Sequence, residues 1–257
     1  MDSTPEREFA PESTTQRNWK LAARLEPFDS YWQAPEDVES GYTSFLAYYE
    51  ANYLPHMPTA KDARILVISC GPGYLVNMLQ RHGFTNVIGI DSDPVKVEHA
   101  TARGLNCTAA EAFPWLDGRS AEYDMIIPEQ ELNHLTLEEM IDFLKLCHTA
   151  LRDNGQVFVY GLNGANPMVG SENLSHNIDH FNTFTDYSLA QILEVAGFEH
   201  IHTMPLKLYV FWKNPLNYVG LAITTTYELY CRIMFKLYGK NVKILSKKLA
   251  ALASKSH

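Results

Sequence analysis

A chain of 257 residues, 46% hydrophobic and 20% charged, has the length of one large α/β domain or one domain with appendages, and a composition that excludes a disordered or membrane-embedded protein. Four cysteines, Cys70, Cys107, Cys147 and Cys231, lie far apart with no CxxC spacing and no Cys/His pairing, which argues against a zinc site and suits a reducing cytoplasm. The net charge of −9 hides an asymmetry: from Leu206 onward nine basic residues face Glu228 alone, a surplus of +8, while the preceding part carries 12 basic and 29 acidic residues, −17.

Residues 1–17 read as a disordered arm, and the acidic, polar start is not that of a signal peptide. An N-terminal helical cap over 18–60 follows. Within it Tyr42, Phe45, Leu46, Tyr49 and Tyr53 fall on one face of a helix spanning Ser40–Leu54. Strands and helices then alternate over 61–211. "ARILVIS" is apolar throughout, as a strand buried on both faces should be. "YLVNMLQRHG" is a helix stopped at Gly83, "NVIGID" a second strand, and "DPVKVEHATARG" a helix with Pro94 near its start and Gly104 at its end. "LNCTAAE" and "YDMIIPE" are the third and fourth strands, with a weak helix between them. Thr136 and Glu139 form a capping box opening a firmer helix. "QVFVYGL" is the fifth strand, "TDYSLAQILEVAG" a capped helix, and Thr203–Phe211 a late strand. Repeated βα units with short links predict an α/β fold: a doubly wound, mostly parallel Rossmann-like sheet with helices on both faces. The remainder, 212–257, reads as a C-terminal basic helical appendage. Its last part, "NVKILSKKLAALASK", places Val242, Leu245, Leu249 and Leu252 on one helical stripe. A basic amphipathic helix of this kind can lie on an anionic bilayer or pack on a partner subunit. No uncharged apolar run reaches the length of a membrane span.

In an open α/β sheet ligands sit beyond the carboxyl ends of the strands. Gly71 and Gly73, after the first strand, permit a tight turn and close approach of a ligand to the backbone at a helix N-terminus. A dinucleotide site would continue as GxGxxG, but Val76 occupies the third position. Asp91 ends the second strand, where a carboxylate can accept both hydroxyls of a ribose. The pair points to an adenosine-bearing ligand; the bland alternative is a surface turn with a capping aspartate.

Over Arg64–Phe198 the chain resembles the class I S-adenosylmethionine-dependent methyltransferases. "VISCGPG" is similar to the family's first motif, "VIGIDSDPVKVEHA" to its ribose-binding motif, "AEAFPW" to the adenine-facing third, and "YDMIIPEQELNHLTLEEMIDFLKLCHTALRDNGQVFV" to the fourth strand, its helix and the fifth. The resemblance implies that Ser69, Cys70, Gly71 and Gly73 hold the methionine end of S-adenosylmethionine, Asp91 and Ser92 the ribose, and Glu111 and Ala112 the adenine. The family often carries acids where Gln130 and Asn133 are found here; Glu129 or Glu131 can stand in for them, and Glu129 is expected at the cofactor. Tyr42 could close over the sulfonium through its ring face. Two departures are Val67, where the family carries an acid, and Ser69, where it carries glycine.

Methyl transfer is an in-line displacement that depends on alignment, and a hydroxyl acceptor also needs a general base. His134, just past the fourth strand, and His176, Asp179 and His180, in the loop after the fifth, are the candidates; a helix-entry histidine and a polar surface loop are the alternatives. No firm metal-ligand spacing appears. These features, with a tail like those of bacterial glycan-associated O-methyltransferases, point to methylation of a hydroxyl on a glycan or glycolipid by a cytoplasmic enzyme, peripheral on the membrane. The alternatives are a small phenol, acid or quinone-precursor acceptor, or a non-catalytic binding module that keeps the fold. The acidic core lacks the basic, aromatic stripe of a nucleic-acid enzyme.

Overall fold

The computed structural model describes residues 35–129, 131–175, 180–208 and 215–256. The expected arm, His176, Asp179 and Gln130 lie outside them. Two short helices, α1 (Pro35–Ser44) and α2 (Leu46–Asn52), stand where the spacing predicts one. The core then runs β1 (Ile65–Ile68), α3 (Tyr74–Arg81), β2 (Val87–Asp91), α4 (Pro94–Ala102), β3 (Cys107–Ala109), α5 (Ala112–Leu116), β4 (Tyr123–Pro128), α6 (Leu137–Ala150) and β5 (Leu151–Leu162). It ends with α7 (Gly170–Ser175), α8 (Asp186–Val195), β6 (Glu199–Pro205), α9 (Leu216–Leu237) and β7 (Lys248–Ser254).

The seven strands lie in the order β3-β2-β1-β4-β5-β7-β6. β1 to β5 are parallel, and β7 runs antiparallel to both its neighbours. This is the expected Rossmann-like fold. Strand order reverses between β1 and β4, which opens a crevice at their carboxyl ends. Register sets what lines it: Ile68 pairs with Ile90 on one side and Pro128 on the other, so Ser69, Asp91 and Glu129 emerge at one edge.

β1 is buried on both faces because each face has its own apolar layer. Leu66 and Ile68 join Ile126, Phe143, Leu144 and Val159 on one side. Ile65 and Val67 join Ile127, Phe158, Tyr160 and the tyrosines of α1 and α2 on the other. The Thr136–Glu139 capping box is present and opens α6.

The expected amphipathic helix over 241–255 is corrected by the structure: Lys248–Ser254 is the strand β7. Leu249, Ala251 and Ala253 fall on one layer and Ala250 on the other. The residue types favour helix, but their small size fits the space between two strands, and seven residue pairs with β5 outweigh that propensity. The late strand is also displaced. It covers Glu199–Pro205, where Thr203–Phe211 was expected and 209–211 lie outside the described residues, because pairing with β7 sets its register and its place at the sheet edge exempts it from a strong apolar pattern.

α9 is helical as expected, yet Cys231 is its buried residue. Leu216, Val219, Ile223, Tyr230, Ile233 and Leu237 form a stripe at helical spacing and are 52–75% exposed. No helix among the described residues is long and apolar enough to cross a membrane.

Candidate functional site

The loop after β1 takes an unusual path. Ser69, Gly71 and Gly73 have φ of 54°, 53° and 83°, three left-handed residues at alternate positions. That conformation costs a non-glycine residue about 1–2 kcal/mol, so Ser69 adopts the geometry of the glycine it replaces. A Cβ at Gly71 would meet nothing within 4 Å, whereas one at Gly73 would lie 2.8 Å from Leu105 Cδ1 and 3.1 Å from Ala100 Cβ. Gly73 thus lets the loop settle on α4 and β3, and Gly71 leaves open space above the backbone where a ligand can approach. Below the loop, a Cβ at Gly89 would lie 2.8 Å from both Cys70 Sγ and Cys107 Sγ, so these buried cysteines form the floor.

Asp91 ties the loop to β2. Its Oδ2 accepts the Gly71 N–H at 2.7 Å and its Oδ1 accepts the Asp93 N–H at 2.9 Å. Each oxygen keeps a further lone pair, as two ribose hydroxyls require. Burial pushes the Asp91 carboxyl above the usual carboxylate range, opposed by those N–H groups and by Lys96. Ser92 is exposed beside it, and Glu111 and Ala112 are half-buried at the start of α5, beyond β3. These residues fit the group expected: an open cradle at Gly71 and a carboxylate with free acceptor capacity. An S-adenosylmethionine bound there supplies an electrophilic methyl group on sulfur.

Tyr42 is buried rather than free to close on a ligand. Its hydroxyl donates to Pro72 O, and the Arg103 guanidinium lies 3.9 Å from its ring centroid. Burial raises its pKa to about 12, so the hydroxyl stays a donor. Tyr74 donates to Val38 O at 3.0 Å. These bonds fix α1 over the glycine loop.

Glu129 follows β4 on the same sheet face as Val67 and Ile127 and is 9% exposed. Its N–H donates to Ile68 O, and its Oε2 accepts the Tyr49 hydroxyl at 2.9 Å. Glu129 Oε1 and the hydroxyls of Tyr48 and Tyr53 are buried without hydrogen-bond partners. Burial raises the Glu129 pKa; the Tyr53 and Tyr49 hydroxyls and Lys248 oppose the rise. Lys248, at the start of β7, projects its Nζ over the Tyr160 ring, 4.9 Å from its centroid. Sequence reasoning assigned Glu129 to the cofactor, placed Lys248 on a helix and treated the α2 tyrosines as packing. The density of tyrosines in "YTSFLAYYEANY" was the available signal.

Of the histidine candidates, His134 and His180 meet, with ring centroids 5.0 Å apart. His180 Nδ1 lies 2.7 Å from Asn173 O; a carbonyl only accepts, so Nδ1 carries a proton. Both rings are half-buried. Among the described residues, no three His, Cys, Asp or Glu are grouped to hold a metal.

A family model described as a methyltransferase domain matches residues 42–203. No curated protein matches the sequence. Among solved structures, an S-adenosylmethionine-dependent methyltransferase from Archaeoglobus fulgidus is similar over 83% of this chain and 94% of its own, with 17% identity and a TM-score of 0.63. A Thermotoga maritima protein described as a possible histamine N-methyltransferase is similar over 93% and 100%, with 15% identity and a TM-score of 0.60. A Haemonchus contortus phosphoethanolamine N-methyltransferase, solved with S-adenosylhomocysteine, is similar over 91% and 61%, with 14% identity and a TM-score of 0.58.

Proposed function

The chain belongs to the methyltransferase-domain family and is an S-adenosylmethionine-dependent methyltransferase, and we propose that it methylates a hydroxyl of a glycan or glycolipid at an anionic membrane surface. The observation that carries this reading is α9. Its 22 residues span about 33 Å, and its exposed apolar stripe is flanked by Arg232 and Lys236 and followed by the exposed Lys240 and Lys243. Apolar residues rimmed by cations suit the interface of an anionic bilayer, and an acceptor carried on lipid would be presented there. The negative charge of the rest of the chain would orient α9 toward such a surface.

In this reading the glycine loop and Asp91 hold the methyl donor, with Glu111 and Ala112 toward its adenine. A second reading, a small hydroxyl-bearing acceptor such as a phenol, is favoured by one observation: the polar atoms at the end of β4 are enclosed beneath α2.

Calorimetry with S-adenosylhomocysteine tests the cofactor half. Binding is expected, with large weakening in Asp91→Ala, and saturation ~100-fold above Kd adds about 2.7 kcal/mol of stability. Flotation with phosphatidylglycerol and phosphatidylcholine vesicles, beside labelled-methyl transfer to lipid-linked and soluble glycans, tests the acceptor half. Salt-sensitive binding to the anionic vesicles and preference for the lipid-linked glycan are expected. Transfer to soluble phenols alone establishes the second reading.

A further inference from the structure

The buried atoms at the end of β4 form a site with unused hydrogen-bonding capacity. A carboxylate oxygen sealed from water without a partner costs free energy that a structural role would not require. Here three such atoms, Glu129 Oε1 and the Tyr48 and Tyr53 hydroxyls, belong to one cluster of α2 and β4. The Tyr48 and Tyr53 ring centroids are 6.2 Å apart, and both rings flank Tyr49, which holds the other Glu129 oxygen. The cluster occupies the sheet edge at the ends of β4, β5 and β7, two strands removed from Asp91. The donor would lie over β1 and β2, so this is the acceptor's side of the crevice.

We propose that Glu129 is the proton acceptor of the methyl transfer and that, with Tyr48, Tyr53 and Lys248, it forms a subsite for the hydroxyl of a neutral acceptor. The inference rests on reading the acceptor atom as oxygen. Hydrogen-bond complementarity carries it. A hydroxyl offers one donor and two lone pairs; Glu129 Oε1 only accepts, and the two phenols, both held protonated by burial, can each donate. An ammonium would satisfy the same three atoms with three donors, but Lys248 already places one cation in the cluster, and a second would be buried without compensation. Lys248 forms no ion pair with Glu129; burial raises the acid and lowers the amine, and each partly offsets that by favouring the other's charged form. As the acceptor oxygen takes the methyl carbon, its O–H proton passes to Glu129 Oε1, and the electron pair of the broken C–S bond stays on sulfur. The sulfonium charge is discharged as the carboxylate is neutralised. α2 supplies the tyrosines that enclose the cluster and is tied to it by the Tyr49–Glu129 bond.

The test uses the full chain with labelled methyl donor and three hydroxyl probes: methyl glucoside, catechol and glycerol, with ethanolamine as the amine control. Glu129→Gln is expected to lower kcat on the hydroxyl probe that reacts by 100-fold or more, in line with ~10²–10⁴ for a lost general base. Its S-adenosylhomocysteine affinity should stay within threefold of the parent. Tyr53→Phe removes a hydroxyl that acts on Glu129 without a hydrogen bond of full geometry, so it should move the melting temperature little while raising KM several-fold. Glu129→Gln turnover within fivefold of the parent overturns the proposal and leaves the cluster as a structural network around a trapped water. Loss of S-adenosylhomocysteine binding in that variant also overturns it, and returns Glu129 to the cofactor. A collapse of turnover in His134→Ala with Glu129→Gln intact assigns the proton to the histidine pair instead. If the parent methylates ethanolamine and no hydroxyl probe, or none of the four probes, the oxygen reading itself fails. That result is distinct, because it appears before any variant is made.

Discussion

Alanine at Gly71 and alanine at Gly73 should fail in different ways, although the two positions are one residue apart on the same loop. Both adopt a left-handed φ, 53° and 83°, at about 1–2 kcal/mol for a side chain. Both substitutions recover about 0.5–1 kcal/mol by restricting the unfolded chain. At Gly71 nothing else is added, since the new methyl meets no atom within 4 Å, and the net loss is about 0.5–1 kcal/mol. At Gly73 the methyl would press on Leu105 Cδ1 at 2.8 Å, Ala100 Cβ at 3.1 Å and Cys107 Sγ at 3.3 Å. Overpacking of that kind costs about 1–3 kcal/mol more, for a net of about 2–4. In a domain of this size these losses correspond to falls in Tm of roughly 1–4 °C and 5–15 °C. The ligand effects should run the other way for the stability lost: Gly71→Ala, nearly as stable as the parent, should bind S-adenosylhomocysteine at least tenfold more weakly, because its methyl occupies the ligand's space. Urea unfolding and calorimetry on the two variants decide the matter. Equal destabilisation, or undiminished binding by Gly71→Ala, would refute the assignment of that open space to the cofactor.

Ser69→Gly relieves a left-handed serine and should stabilise the chain by about 0.5–1 kcal/mol, read as a higher urea midpoint; a fall would mean that the serine side chain holds the loop. Glu129 and Asp91 have folded pKa values raised by burial, so the native state holds their protons more tightly than the unfolded chain. Their contribution is therefore greatest below about pH 4 and is lost as pH rises through the raised values; the urea midpoint of Glu129→Gln should decline less than the parent's over that window. His56 and His148 are lowered, chiefly by burial, and act with opposite sign, costing stability as pH falls below the ordinary 6.5. Ala251→Asp tests the reassigned C-terminal strand. A charge buried between β5 and β6 without a partner should cost upward of about 3 kcal/mol, whereas on a solvated helix it would change Tm by a degree or so.

The parallel half of the fold is legible in the residues because buried parallel strands and capped helices are local patterns. "ILVI" is apolar through four residues, and Thr136 and Glu139 announce their helix. The C-terminal quarter is not legible, for a physical reason. "KLAALAS" has the composition of a helix, and its identity as a strand depends on a gap between β5 and β6 that only the assembled sheet provides. The same misreading hid Lys248, which reaches the site because an antiparallel β7 begins at the edge where the parallel strands end. The proximity of the proposed cofactor residues was readable from spacing: the loop of Ser69, Gly71 and Gly73 meets Asp91 through the Asp91–Gly71 bond. The buried cluster proposed for the acceptor was not, because its atoms come from α2, β4 and β7, and an unpartnered oxygen leaves no trace in a sequence. Tyr42 was expected to close over the ligand; packing instead makes it a clamp on Pro72.

The two departures in the first motif are better understood together with Glu129. Ser69 keeps the glycine's φ, so the loop's path survives the substitution at a cost in strain of the kind functional loops carry. Val67 is wholly buried in an apolar layer and pairs with Ile127, so a carboxylate there would need a partner that this layer lacks. Two residues beyond Ile127, on the same face, stands Glu129. In this chain the buried acid of that sheet face thus stands one strand over from Val67 and nearer the end of the sheet. A fold that had merely lost its chemistry would have little reason to retain a buried acid with an unbonded oxygen, since an apolar residue of similar size would avoid the desolvation cost. A buried acid with an unbonded oxygen suits the enzyme that the family match shows better than a non-catalytic binding module.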